Sequence, residues 1–222
     1  MDKNFTKLVN IKSGEVELEG MLEVPEHPLG IVLFAHGSGS SRFSTRNNYV
    51  AAELRAAGIG TLLMDLLTPQ EDRHYQTRFD ISLLTERLAA AAGWLHQQGG
   101  SNPVAIGLFG ASTGAAAALQ VAALPEAHIA VLVSRGGRPD LAGKAALGRV
   151  HAPTLLIVGG DDHDVIVLNR DAYDIMHCEK RLAIVPGASH LFEEAGTLED
   201  VAALATNWFV THFSALHRST LP

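Results

Sequence analysis

The sequence lacks the features that tie a chain to a secretory route, a membrane or nucleic acid. It has one cysteine, Cys178, so no internal disulfide can form, which suits a reducing compartment. Its first residues, Met-Asp-Lys-Asn-Phe-Thr-Lys, have none of the apolar character of a signal peptide. No apolar run reaches the length of a membrane span. There is no basic stripe, and the net charge of −7 argues against non-specific binding to nucleic acid. These absences lead us to expect a cytoplasmic protein that engages neither membrane nor nucleic acid. The composition, 47% apolar over 222 residues, supports one sizeable α/β domain with a well-buried core. No linker, composition break or internal repeat divides the chain, so residues 1–222 are read as a single domain. Nothing in the sequence specifies an oligomeric state.

Two stretches near the start, 5–11 and 15–24, alternate loosely between apolar and polar residues around Ser13-Gly14. This predicts an antiparallel hairpin at a sheet edge. From Gly30 onward the pattern changes to continuous apolar runs at 31–35, 59–64, 104–109, 129–133, 154–158 and 182–185. Strands without alternation are buried on both faces, as in a parallel sheet. Helical segments lie between them. One covers 46–57, stopped by Gly58, and another starts at Asp80 as N-cap, with Ile81, Leu84, Leu88, Ala91 and Leu95 on one face. Others follow Ser112, Val165 and Thr197, the last with a core-facing stripe of Leu198, Val201, Leu204, Ala205 and Trp208. A hairpin followed by repeated β-α units makes a doubly wound, mostly parallel sheet with an antiparallel N-terminal edge. The irregular stretch 66–79 is too short for a folded lid.

The most informative stretch is Gly110-Ala111-Ser112-Thr113-Gly114, entered from a strand and left by an alanine-rich helix. That context is the one a nucleophile elbow requires. The turn is tight enough to need glycine at both flanks. The helix that follows aims unpaired N–H groups and its positive end at Ser112.

A serine hydroxyl is a weak nucleophile until a base takes its proton. His190, in Gly187-Ala188-Ser189-His190, directly follows the last strand and so lies at the carboxyl end of the sheet, where Ser112 emerges. The base needs an orienting carboxylate, and the loop Gly159-Gly160-Asp161-Asp162-His163-Asp164 ends a strand on the same face. Two glycines turn the chain, and the residue just past the turn can point back toward His190, which selects Asp162 over Asp161 and Asp164. The acidic cluster also has metal-binding chemistry, but contiguous residues on one loop cannot all converge on an ion. Neither a metal nor an organic cofactor is expected.

Stabilising an oxyanion takes a second N–H besides that of Thr113, and Ser38, in the glycine-rich turn after the first buried strand, is the candidate donor. That turn lacks the lysine and the spacing of a phosphate-binding Walker loop. Candidates for the substrate pocket are His36, Gly37, Leu66, Leu67, Arg135 and Phe192. Arg135 and Arg138 could meet an anionic substrate, or pair with Asp140 or Asp161.

Together, His36-Gly37 with the following glycines, Gly110-x-Ser112-x-Gly114, Gly160-x-Asp162-x-x-Val165 and Gly187-x-x-His190 resemble the α/β-hydrolase superfamily. Within it they are similar to the small, lidless dienelactone-hydrolase-like group. The resemblance covers nearly the whole chain. It implies an eight-stranded sheet, a nucleophile/Asp/His triad and cofactor-free hydrolysis of esters or lactones. The serine at 112, where dienelactone hydrolases proper carry cysteine, points toward a carboxylesterase acting on small or short-acyl esters. Lactone hydrolysis and acyl transfer are the alternatives. From another class, a non-catalytic ligand-binding module on the same scaffold is the rival.

Overall fold

A computed structural model describes residues 5–98 and 104–219. Residues 1–4, where the stretch inspected for a leader begins, lie outside the described residues. Eight strands form one sheet in the order β1-β2-β4-β3-β5-β6-β7-β8. The first two, β1 (Phe5–Ser13) and β2 (Val16–Val24), make the antiparallel hairpin at the sheet edge, turned at Gly14 with φ 57°. Strand β2 runs antiparallel to β4 (Gly60–Met64). All further pairings, through β3 (Ile31–Ala35), β5 (Ile106–Ala111), β6 (Ile129–Arg135), β7 (Thr154–Gly159) and β8 (Lys180–Val185), are parallel.

The pleat divides the core into two layers. In β3, Val32 and Phe34 join one cluster, while Ile31, Leu33 and Ala35 join the other. Helices α1 (Thr45–Ala56) and α6 (Thr197–Ser219) cover the first face. The second is covered by α2 (Ile81–Gln98), α3 (Thr113–Ala122), the short α4 (Lys144–Leu147) and α5 (His163–Ile175).

Local sequence explains where these helices begin. Asp80 caps α2 by accepting the Leu83 N–H at 3.0 Å, and Ser44 caps α1 by accepting that of Asn47 at 3.3 Å. The chain leaves α1 through Gly58, at φ 81°.

Two expectations are adjusted, for β5 and β6 and for α6. Strands β5 and β6 run further than their apolar runs, because Gly110 pairs with Ser134 and Ala111 with Arg135 in the ladder. Arg135 is therefore the last residue of a strand rather than part of a loop. In α6 the fully buried line is Val201, Ala205, Phe209 and Phe213; Leu198, Leu204 and Trp208 only flank it. The reason is a close fit to the sheet: a Cβ on Gly107 would meet the Phe209 ring at 2.8 Å. Residues 66–79 fold into two single 3₁₀ turns, Glu71–Arg73 and Tyr75–Phe79, with no helix of lid length.

Candidate active site

Strand β3 leads out to β4 on one side, and the chain then returns to place β5 on its other side. The crevice between the carboxyl ends of β3 and β5 is the switch point where such sheets bind ligands. Ser112 stands there between β5 and α3, with φ 50° and ψ −120°. That backbone is strained for any residue with a side chain and costs about 1–3 kcal/mol. The flanking glycines make the turn possible. A Cβ on Gly110 would lie 2.4 Å from Ala115 Cα, and one on Gly114 would lie 2.2 Å from the Ala35 carbonyl oxygen. The Ser112 N–H donates to the Arg135 carbonyl at 3.2 Å, which ties the elbow to the end of β6.

His190 and Asp162 meet across two strand ends. His190 Nδ1 lies 2.6 Å from Asp162 Oδ2. A carboxylate only accepts, so Nδ1 carries the hydrogen and Nε2 of the neutral ring presents a bare lone pair. The two loops approach closely because glycines line the contact. A Cβ on Gly159 would meet the Ala188 carbonyl oxygen at 2.4 Å, and the Asp161 N–H donates to that same carbonyl at 3.0 Å. Gly136, at φ 51°, packs beside the imidazole. Asp161, His163 and Asp164 are exposed, whereas the Asp162 side chain is mostly covered, 15% exposed. Among the described residues, no three His, Cys, Asp or Glu side chains are grouped to hold a metal ion.

Ser112 and His190 line one cleft of about 220 Å³, together with Gly37, Ser38, Ser40, Ser44, Arg46, Asn47, Ala111, Arg135 and Leu191. Among the described residues no hydrogen bond joins Ser112 to His190. The N–H groups of Ser38 and Thr113 also find no acceptor there. Gly37 lies against the nucleophile: a Cβ on it would be 3.1 Å from Ser112 Cβ.

Of the pocket candidates, Gly37 and Arg135 reach the cleft; His36, Leu66, Leu67 and Phe192 do not line it. His36 is buried, accepting the Leu66 N–H on Nε2 at 3.0 Å and donating from Nδ1 to the Gly37 carbonyl at 2.9 Å. That arrangement needs a neutral ring, and burial pushes the His36 pKa down, against opposing effects of the Gly37 carbonyl, Asp65 and Asp72. It pins the turn that carries Ser38 onto the chain leaving β4. Leu66 and Leu67 are core residues, and Phe192 packs in the layer under α6, its ring centroid 6.0 Å from the Arg135 guanidinium. Arg138 is paired with Asp140 by two hydrogen bonds, at 2.9 and 2.7 Å. Arg46, Ser40, Ser44 and Asn47 were not anticipated. They reach the site because α1 starts directly after the glycine-rich turn that ends β3, beside which β5 returns.

No family model matches the sequence. The chain is 51% identical to a dienelactone hydrolase from Anabaena variabilis, over 95% of this chain and 99% of that one, with a TM-score of 0.89. An esterase domain from a Rhodothermus marinus protein shares the fold, at 20% identity and a TM-score of 0.74, over 94% of this chain and 99% of that one. Fold and sequence thus define an α/β hydrolase. More narrowly, the chain belongs to the dienelactone-hydrolase-like group of that superfamily. Proteins of two Mycobacterium tuberculosis strains, provisionally named phosphoribosyl transferases, are 56% identical over 204 residues, 92% of this chain. The chain spans 46% of the length of those relatives. Among the described residues no helix is long and apolar enough to cross a membrane.

Proposed function

We propose that this chain is a serine hydrolase that cleaves small carboxylic esters through Ser112, His190 and Asp162. The observation that carries the reading is the hydrogen bond from His190 to Asp162, which leaves Nε2 bare on a wall shared with a strained serine. In the first half-reaction His190 Nε2 takes the hydroxyl proton as Ser112 Oγ bonds to the acyl carbon. The Ser38 and Thr113 N–H groups receive the developing oxyanion. His190 returns the proton to the departing alcohol, leaving an acyl-serine. Water, deprotonated by the same ring, then releases the acid and restores the hydroxyl. Asp162 orients the imidazole throughout and stabilises its cationic form. A hydrogen bond between nucleophile and base of this kind commonly tightens only when substrate is bound.

The small cleft favours small acyl groups, and serine as nucleophile favours ordinary esters over lactones. Phosphoribosyl transfer is the name attached to relatives about twice as long; the groups gathered in this cleft are those of acyl transfer. The test is labelling with a fluorophosphonate, which needs an activated serine and no known substrate. Labelling of the parent chain but not of Ser112→Ala is expected. A parent chain that stays unlabelled would leave a binding module on a hydrolase scaffold. Product analysis with added alcohols separates hydrolysis from transfer to another acceptor.

A further inference from the structure

Among the described residues Arg135 has no counter-ion. Its residue is 8% exposed, and both Nε and Nη1 are buried with no hydrogen-bond partner among the described residues. An uncompensated buried cation is expensive, and folds rarely keep one without a use. Burial, followed by the charge of Arg46, pulls its pKa down to about 10, so the guanidinium is still charged at neutral pH. Phe192 lies beside it, and the Arg135 backbone carbonyl accepts the Ser112 N–H of the elbow.

Other orphaned polar atoms share this wall. Arg46 Nε and Asn47 Oδ1 are buried without partners among the described residues, and both residues line the same cleft; only the first, a donor, can serve an anion. Arg46 reaches Glu193 at 3.2 Å through Nη1 alone, and Glu193 is mostly exposed. Arg46 lies in the first turn of α1, and Arg135, at the end of β6, lines the same cleft. Ser44 uses its hydroxyl on the Asn47 N–H, and the N–H groups of Thr45 and Arg46 head the helix without an acceptor among the described residues. Thus one wall of a small cleft gathers two guanidiniums, a helix N-terminus and the hydroxyl of Ser40. Arg46 already has Glu193 as a partner, so charge balance alone asks for one further negative charge, but the two oxygens of a carboxylate leave most of these donors unserved. A phosphate monoester carries close to two negative charges and accepts from several directions.

We propose that this wall is an anion subsite that takes a phosphate monoester group of the substrate, beside the ester that Ser112 attacks. The inference rests on the hydrolase reading for its placement, but binding at the subsite needs no turnover. The test therefore measures binding of inorganic phosphate and of glycerol phosphate to the Ser112→Ala chain, by calorimetry and thermal shift at constant ionic strength. Both are expected to bind and to raise the melting temperature. Acetate should bind at least about tenfold more weakly, since it forms fewer charge-assisted bonds. Arg135→Gln should weaken phosphate binding by about tenfold or more, the size of one lost charged hydrogen bond. Arg46→Gln, at a more exposed position, should weaken it several-fold and serves if Arg135→Gln does not fold. In the parent chain, both phosphates should inhibit hydrolysis of a neutral ester competitively. Acetate binding as tightly as phosphate, no phosphate binding, or binding unchanged in a folded arginine variant would each overturn the proposal. Phosphate binding in a chain that no fluorophosphonate labels would uphold the subsite and overturn only the hydrolase reading.

Discussion

Asp162 stands at the N-cap of α5 and does not cap it: its carboxylate is bonded to His190 Nδ1 at 2.6 Å instead. An N-cap aspartate is worth about 1 kcal/mol to a helix when it is used as one. Here that bond to the helix is forgone and the carboxylate serves the imidazole.

Asp162→Asn should therefore lower ester turnover by about a hundredfold or more, because an amide can donate to the ring and favour the wrong tautomer. The melting temperature should move little, since no cap is lost. Asp161→Asn and Asp164→Asn should keep most activity. Steady-state kinetics on the three variants decide the matter, and a crippled Asp164→Asn with an active Asp162→Asn would reassign the acid.

Ser112→Ala should cost on the order of a thousandfold or more in turnover. Ser112→Gly should be as inactive and yet more stable than Ser112→Ala by about 1 kcal/mol, since glycine relieves the positive-φ strain. In a domain of this size that is a melting difference of roughly 2–4 °C. Equal melting points for the two variants would show that the turn stores no strain.

Two glycines should respond to alanine in opposite senses. In Gly114→Ala the new methyl would sit 2.2 Å from the Ala35 carbonyl oxygen and 2.4 Å from that of His36, both backbone. A loss of about 1–3 kcal/mol and of activity is expected from such overpacking. Gly93 lies on the exposed side of α2 with nothing within 4 Å of a new Cβ. Gly93→Ala should stabilise by about 1 kcal/mol, the helix-propensity difference. Denaturant midpoints with unchanged slopes check both.

His36 should make stability fall in mild acid. Its pKa is depressed in the folded chain, chiefly by burial, and returns to about 6.5 on unfolding. Above that value both states are neutral and the contribution is complete. As pH drops below about 6.5 the unfolded chain takes up a proton that the folded chain resists, a slope of up to about 1.4 kcal/mol per pH unit. Melting curves between about pH 5 and 7.5 should show a steeper decline for the parent chain than for His36→Gln, since that range brackets the histidine pKa. Parallel curves would exclude His36 as the source.

Short-acyl esters should be turned over faster than long ones. The cleft of about 220 Å³ falls below the usual range of ligand pockets, and residues 66–79 form only two short turns. A chain-length series of aryl esters tests this, and a preference for acyl groups of about twelve carbons would contradict it.

Much of this architecture was legible because the signals were local. The shift from alternating to continuous apolar runs separates the hairpin from the parallel strands. The glycines of 110–114 and 159–160 mark the two tight turns, and chain order places Ser112, Asp162 and His190 at one end of the sheet. Side-chain direction was less accessible. His36 and Phe192 sit at the right strand ends but point into the core, because His36 finds the Leu66 N–H and Phe192 fills the layer under α6. Arg46 escaped notice for the converse reason: it occupies an ordinary helical position, and only the return of β5 beside β3 brings that helix start against Ser112. That Arg135 lacks an acid partner among the described residues could not be read at all, since Asp140, five residues on, is taken by Arg138.

The three groups of the candidate triad leave the sheet on β5, β7 and the loop after β8, in the order in which the chain is made. A growing chain thus acquires its serine some eighty residues before its histidine. On the proposed triad, the hydroxyl has no base until β8 pairs with β7, so a chain that has not yet made that strand is expected to be inert toward esters.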